Sequence, residues 1–289
     1  MADYSICCST ITITDFFLEK ERKMKDFGLQ LFSIRDYFKT AEDTRTAFLS
    51  MKEMGYSYAH TAGTYDYISP EDFAKYASEA GIEICGTHYS FDRIRDDVEG
   101  TVAYHNALGT KTIGIGGMPM DVRGNPQKVE NFIEEFNKCA SVYAKYGFKL
   151  SYHNHSFEFV KLPDGRTFFD LLIEKLDPKS ISFVLDTYWV QHGGCDVRRM
   201  IERLKGRIDI LHLKDMEANV LHTLADGRVI SAPGIVEIGA GNINFEDIIP
   251  LAEKCGVKYF VVEDDRCIEG KSLEYAKKSA DYIKANFMK

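Results

Sequence analysis

From about residue 27 to the C-terminus, short β-prone apolar runs alternate with longer segments whose apolar residues have helical spacing. Runs of five to seven residues predict eight strands, at 27–33, 56–60, 82–88, 110–115, 148–152, 181–185, 207–213 and 257–263. The segments between and after them, with apolar positions three or four residues apart, predict eight helices, at 41–54, 70–80, 96–108, 126–146, 168–176, 197–204, 245–255 and 273–286.

Glycine follows the first four of these helices, as Gly55, Gly81, Gly109 and Gly147. Glycine ends a helix in the left-handed conformation without a Cβ penalty. Strict alternation of strands and helices implies parallel strands with right-handed crossovers. Eight such units in 289 residues favour a single-domain α/β fold, the closed (β/α)8 TIM barrel, over residues 27–289. Residues 1–26 are predicted to form an N-terminal arm, and no GxGxxG follows the first strand to indicate a dinucleotide-binding fold.

Four of the predicted strands end in side chains that can ligate a metal ion. The fifth runs into His153, Asn154, His155 and Glu158, and the next three into Asp186, His212 with Lys214, and Glu263. A buried imidazole or carboxylate without a partner costs several kcal/mol, so such strand ends indicate a purpose beyond packing. Because barrel active sites lie at the C-terminal ends of the strands, these residues predict one shared site.

Asp186, His212 and Glu263 form a mixed nitrogen and oxygen set without a thiolate. Such a set suits a divalent ion such as Mn, Zn, Co or Mg, whereas structural zinc sites use cysteine. Each residue alone has a simpler interpretation: Asp186 as a turn cap, His212 as a hydrogen-bonding partner of a neighbouring strand, and Glu263 as a solvated acid. The combination is more specific than any of its members.

Composition excludes several other classes of protein. The formal net charge of −8 argues against a broad nucleic-acid surface, which requires clustered Lys and Arg. No run approaches the roughly 18 apolar residues of a membrane helix, and the first residues lack the pattern of a secretory signal. The seven cysteines are an odd, scattered set with no CxxC pair. This fits reduced thiols and predicts a cytoplasmic protein.

The chain resembles the xylose-isomerase-like barrels, a superfamily of divalent-metal sugar isomerases, ketose 3-epimerases, inosose dehydratases and metal-dependent AP endonucleases. The resemblance extends from about residue 27 to the C-terminus and is strongest to the sugar phosphate isomerase/epimerase group. Six motifs carry it, at 28–36, 152–158, 185–190, 212–215, 237–245 and 262–265.

The resemblance implies one divalent metal ion, with Mn favoured and Co, Mg or Zn as alternatives. In these barrels the fifth to eighth strands each supply one ligand, and the last three correspond to Asp186, His212 and Glu263. Epimerases carry on the fifth strand a glutamate that is both ligand and base, where this chain has Tyr152. A second family acid matches Glu158. We therefore expect Glu158 to be the fourth ligand, with His153 or His155 as alternatives.

The departure from the epimerase pattern favours a histidine base, His155 or His153, because an unperturbed imidazole titrates near neutral pH. Of the two carboxylates that epimerases use for proton transfer, Glu263 is the one that remains in this chain. Lys214 is expected to neutralise a developing oxyanion, or to be an ordinary solvated lysine. The residues expected to bind substrate at the barrel mouth are Gln30, His60, His88, Asn154 and Trp189.

The favoured function is a metal-dependent sugar or sugar-phosphate isomerase or epimerase that removes a proton next to a carbonyl. The alternative is a lyase of the same barrel, which dehydrates a keto sugar or cleaves a C-glycoside, in the latter case with a small partner subunit. An AP endonuclease is disfavoured because Trp189 stands where that group has a histidine, and a non-catalytic sugar-binding barrel because converging acids are costly without a purpose.

The expected partners follow from the favoured function. We expect a small-molecule carbohydrate as the ligand, no nucleic acid and no membrane, and a homo-oligomer unless a small subunit is present. Residues 216–237 are predicted to be a long connection that shapes substrate access or an interface.

Overall fold

The computed structural model describes residues 24–288, in which eight parallel strands close into a barrel in chain order. The barrel strands are β1 Gly28–Gln30, β2 Tyr58–Ala62, β3 Glu83–His88, β4 Thr112–Ile115, β5 Lys149–His153, β6 Ile181–Asp186, β7 Ile208–Leu213 and β10 Tyr259–Val262. This confirms the predicted single-domain (β/α)8 barrel. Most of the predicted N-terminal arm, residues 1–23, lies outside the described residues.

Helices connect the strands on the outside of the barrel. They are α1 Ala41–Met54, α2 Pro70–Glu79, α3 Phe91–Asp96, α4 Val98–Leu108, α5 Pro126–Ala144, α6 Phe168–Lys175, α7 Thr187–His192, α8 Val197–Arg203, α9 Phe245–Lys254 and α10 Ser272–Phe287. The short α3 and α7 were not predicted. Each of α4 and α7 begins at an aspartate, Asp97 or Asp186, that accepts a backbone N–H of the first turn. No helix within residues 24–288 has the length and hydropathy needed to cross a membrane.

The first strand is shorter than the predicted 27–33, because the chain turns at Gln30. The side-chain oxygen Oε1 of Gln30 accepts the backbone N–H of Phe32 at 3.3 Å. The backbone then continues as a 3₁₀ turn, Leu31–Tyr37. This turn directs the chain away from the barrel axis and leaves Gln30 as the last residue of β1.

The segment predicted as a long connection, 216–237, is an antiparallel hairpin. Its strands are β8 Asp215–Thr223 and β9 Val229–Val236, which pair with each other and with no barrel strand. The segment is the predicted long connection, but its strands were not predicted, although two signals in the sequence indicate them. Apolar and polar residues alternate along 216–220, and Asp226 with Gly227 provides a turn.

Asp215 holds the base of this hairpin to the barrel. Its buried carboxylate accepts four backbone N–H groups, from Met216 at 2.8 Å, Gly239 at 2.9 Å, Gly241 at 3.0 Å and Ile243 at 3.1 Å. Two donors face each oxygen. One side chain therefore ties the start of β8 to the loop that precedes α9.

We predict that Asp215→Asn lowers the free energy of unfolding by about 3 kcal/mol, since the new NH₂ group would face two N–H donors whichever way the amide is oriented. Chemical denaturation of both proteins measures the difference. Asp226→Asn, at the exposed hairpin turn, provides the control and should change stability little. Equal effects of the two substitutions would contradict the anchoring role of Asp215.

Candidate metal centre

The site is built on a small apolar layer inside the barrel. Five residues from five strands form it, namely Tyr58, Cys85, Val184, Ile210 and Val261. Because side chains two positions apart point to the same side of a strand, the next inward residues stack directly above this layer. On four of these strands the next inward residue is polar: His60, Asp186, His212 and Glu263.

Four side chains at the strand ends converge. His153, Asp186, His212 and Glu263 are all buried, and their candidate ligand atoms lie within 4.8 Å of one another. Nδ1 of His212 is 2.8 Å from Oε2 of Glu263, while Nε2 of His153 is 3.5 Å from Oδ2 of Asp186 and 3.8 Å from Oε2 of Glu263. The structure thus brings together three of the sequence-predicted ligands and adds His153 from the fifth strand.

Glu158, the expected fourth ligand, lies outside this cluster. Its Oε1 accepts the hydroxyl of Tyr152 at 2.7 Å and its Oε2 accepts the backbone N–H of His155 at 2.9 Å. The Tyr152 ring packs against Phe132 and Phe136 of α5, on the outside of the barrel. Strand alternation therefore turns His153 inward, and the register of β5 decides which residue joins the other three.

Lys214 is buried beside the cluster rather than solvated. Its Nζ lies 2.6 Å from Asp265, 3.4 Å from Glu263 and 3.6 Å from Asp186. Burial alone lowers the pKa of Lys214, but the three carboxylates outweigh it and raise the pKa above its usual value. Lys214 therefore remains an ammonium and cannot serve as a base. Sequence reasoning missed Asp265, although it belongs to the acidic trio that begins at Glu263.

The site holds more acidic groups than the one ammonium of Lys214 can balance. Burial raises the pKa of Asp186 well above its usual value. Burial also acts to raise the pKa of Glu263, but the neighbouring Lys214 and His212 outweigh it and hold that pKa well below the usual range. When all three acids are ionised, one ammonium leaves two negative charges without a countercharge. A divalent cation would balance this excess.

Gln30 and His60, expected to contact substrate, are fully buried and instead support His212. Oε1 of Gln30 accepts a backbone N–H, so its Nε2 donates to Nδ1 of His60 at 2.9 Å. The same Nδ1 lies 2.9 Å from Nε2 of His212, which must then carry the hydrogen. Nδ1 of His212 faces Oε2 of Glu263 at 2.8 Å, so the ring is held between His60 on one side and Glu263 on the other.

The other expected substrate-binding residues, Asn154, His88 and Trp189, lie beside the cluster or its neighbours. Asn154 is buried, and its Oδ1 accepts the backbone N–H of Asp186 at 3.0 Å, so it fixes the end of β6. The ring centroids of the half-buried His155 and Trp189 lie 5.1 Å apart, and those of His88 and His153 lie 4.9 Å apart. Burial lowers the pKa of His155 to about 4 and that of His88 to about 3, so both imidazoles are neutral near pH 7.

The donor set fits a divalent metal ion. Within residues 24–288, Oδ2 of Asp186 and both ring nitrogens of His153 are buried without a hydrogen-bond partner. Burial, together with His88 and His212, lowers the pKa of His153, and the neutral ring keeps a free lone pair on one of its two nitrogens. Unpaired buried polar atoms are costly, and two imidazoles with two carboxylates are a ligand set of the borderline divalent metals.

The chain belongs to the xylose isomerase-like TIM barrel family, whose model matches residues 48–286. An inosose dehydratase of Geobacillus kaustophilus (strain HTA426) is 25% identical over 263 residues, which cover 81% of this chain and 84% of that protein. The crystal structure of a sugar phosphate isomerase/epimerase from Parabacteroides distasonis is similar with a TM-score of 0.74 and 26% identity, over 92% of this chain and 100% of that one.

The crystal structure of the IolI protein, which holds a zinc atom, is a further structural neighbour. It matches 91% of this chain and 99% of its own with a TM-score of 0.66. At 15% identity it shows the common fold alone. A barrel of this shape therefore accommodates a divalent metal in at least one relative.

We predict that Glu158 makes stability depend on pH. Burial raises its pKa from 4.5 to about 8, so between these values the folded protein keeps a proton that the unfolded chain has lost. The contribution of that proton to the free energy of unfolding therefore falls as the pH rises from 4.5 to about 8. Denaturation of the wild type and Glu158→Gln at several pH values measures this.

The Glu158→Gln protein should gain stability relative to the wild type between pH 4.5 and 8, because it lacks the titrating group. Glu53→Gln changes an exposed residue of α1 and should follow the wild-type curve. Parallel pH curves for the wild type and Glu158→Gln would show that Glu158 titrates normally.

Proposed function

We propose that this protein is a metal-dependent lyase that removes water from a polyhydroxylated ketone, such as an inosose. The observation that carries the proposal is that the site pairs a neutral imidazole, His155, with a permanently protonated lysine, Lys214, in place of two opposed free carboxylates. Reversible epimerisation requires acid/base groups on both faces of the reacting carbon, whereas elimination can use one base that later protonates the leaving hydroxyl, beside a cation that orients the substrate. The similarity to a protein named inosose dehydratase supports the same reaction class.

His153, Asp186, His212 and Glu263 would hold the metal. The acidic excess of the site, the unpaired atoms of His153 and Asp186, and the position of His212 beside Glu263 support this assignment. Zn, Mn, Co and Mg remain the candidates for a set of two imidazoles and two carboxylates. When bound, such an ion polarises the ketone oxygen and acidifies the neighbouring C–H bond.

His155 would accept the proton from the carbon next to the ketone. The electrons of the broken C–H bond form a double bond to the next carbon, whose C–O bond breaks and releases its hydroxyl. The proton on His155 then joins this hydroxyl to give water, so the enzyme returns to its starting protonation state. A pKa of about 4 makes neutral His155 a weak base, but it makes the imidazolium a strong acid toward a departing hydroxide.

Lys214 and Trp189 would orient the substrate. The ammonium of Lys214 lies 5.1 Å from the Trp189 ring, and Nε1 of that ring is buried without a partner among the described residues. Both groups donate hydrogen bonds and neither can remove a proton near neutral pH. They would therefore bind the oxygen atoms of a polyol and leave the proton transfers to His155.

Isomerisation or epimerisation of a sugar is the second candidate. It shares the first proton abstraction, and the Parabacteroides structure, with 26% identity, carries that description. The two reactions differ in the fate of the neighbouring hydroxyl, which leaves only in the dehydration. The mass of the product therefore separates them.

We predict that His153→Ala, Asp186→Asn and His212→Ala each lower the affinity for Zn²⁺ or Mn²⁺ by more than ~100-fold, since losing even an outer partner of a ligand costs 10- to 100-fold. Glu158→Gln should retain the metal because Glu158 lies outside the cluster. Elemental analysis and calorimetric titration of the metal-free proteins measure this, with circular dichroism to verify folding. A loss of metal in Glu158→Gln but not in His153→Ala would restore Glu158 as the ligand.

We predict that the metal-loaded protein converts an inosose into a product lighter by one water, detected by mass spectrometry. His155→Ala should keep its metal and lose about 10²- to 10⁴-fold in kcat, the usual worth of a general base. His192→Ala, at an exposed position of α7, is the matched control. Deuterium uptake into the substrate with no loss of water would favour the isomerase instead, and unchanged kcat in His155→Ala would exclude His155 as the base.

A further inference from the structure

The β8–β9 hairpin has one face that is almost entirely apolar. Cross-strand pairing places Met216 opposite Ile235, Ala218 opposite Pro233 and Val220 opposite Ser231. These six residues share a side of the hairpin because alternate residues of a strand point the same way, and we call them the apolar hairpin face. The opposite side carries Glu217 and Asn219.

Apolar side chains at the end of the hairpin, including Val220 of the apolar hairpin face, are open to solvent. Val220 is 67% exposed, and near the hairpin end Leu221 is 60%, Val229 56% and Ile230 38% exposed. The other exposed large apolar residues include five on the loops that follow barrel strands, at the same end of the molecule: Phe32, Tyr67, Met120, Val160 and Ile268. A concentration of exposed apolar side chains at one end of a protein indicates a contact surface.

The hairpin also has two unpaired edges. Among the described residues, β8 and β9 pair only with each other, and residues 218–223 of β8 are exposed. A two-stranded hairpin is marginally stable in water without packing on one face. Its free N–H and C=O groups offer a template for another strand.

We propose that this hairpin is the surface on which a second copy of the same chain binds. The apolar hairpin face contains no charged residue, whereas the chain as a whole has a formal net charge of −8. Two copies repel each other over most of their surfaces and can approach most readily where charge is absent. A basic partner would instead be attracted to an acidic face.

Symmetry also favours a second copy. A face that packs on the same face of a second copy is related to it by a two-fold axis, the commonest symmetry of protein dimers. The cores of homodimer interfaces are apolar and depleted of charge, as this face is. Because β8 begins at Asp215, directly after Lys214, the dimer contact would lie on a segment that follows the candidate metal centre directly in the sequence.

The experiment compares two lysine substitutions on opposite faces of β8 by sedimentation equilibrium. As its concentration is raised to about 100 μM, the wild type should reach twice the chain mass of 32.9 kDa. Val220→Lys buries a charge in the contact and should raise the dimer dissociation constant more than ~10-fold. Asn219→Lys makes the same change in net charge on the other face and should remain dimeric.

Val229→Lys, in the neighbouring strand, gives a second test, and circular dichroism verifies that each variant folds. A wild type that is monomeric over the whole concentration range would overturn the proposal and indicate a partner of another kind. Equal dissociation constants for Val220→Lys and Asn219→Lys would also overturn it, because the apolar face would then not be the contact.

Discussion

Three carboxylates face a single ammonium, that of Lys214, at the strand ends, and this imbalance of charge governs the site. Asp186 and Glu263 are buried and Asp265 is partly exposed, and removing an ion from water costs several kcal/mol. One lysine offsets part of this cost, and a bound divalent cation would offset the remainder. A barrel that had only to be stable would fill this space with apolar side chains. The charge arrangement is therefore the strongest physical argument that the strand ends serve chemistry.

The barrel stabilises such a cluster by separating its interior into an apolar layer and a polar layer. The apolar layer that includes Val184, Ile210 and Val261 closes the barrel below the site and excludes water from that side. Residues two positions later reach the mouth, where polar partners are available. Supporting groups then restrict each ligand: Asn154 holds the backbone of Asp186, and Gln30 with His60 orients His212. Rigid strands and these hydrogen bonds thus replace part of the solvation that the charged groups have lost.

The same end of the barrel carries the least protected part of the fold. The hairpin leaves the barrel directly after Lys214, and the carboxylate of Asp215 secures its base by four backbone hydrogen bonds. Beyond that anchor its apolar face packs on little within the described chain. Two adjacent residues in the sequence therefore serve different purposes. Lys214 contributes charge to the site, and Asp215 supports an extension that is suited to contact another molecule.

The eight-fold alternation, the barrel and the strand ends that carry the site could be predicted from the sequence, because they follow from local periodicity and from the parallel topology. The sequence also identified Asp186, His212 and Glu263 as a set. Tertiary structure decided the partners. His153 rather than Glu158 joins the cluster because the register of β5 turns Tyr152 outward, and a one-residue difference reverses the side of a strand. The burial of Lys214 and the support of His212 by its neighbours depend on contacts between distant strands, which no local pattern contains.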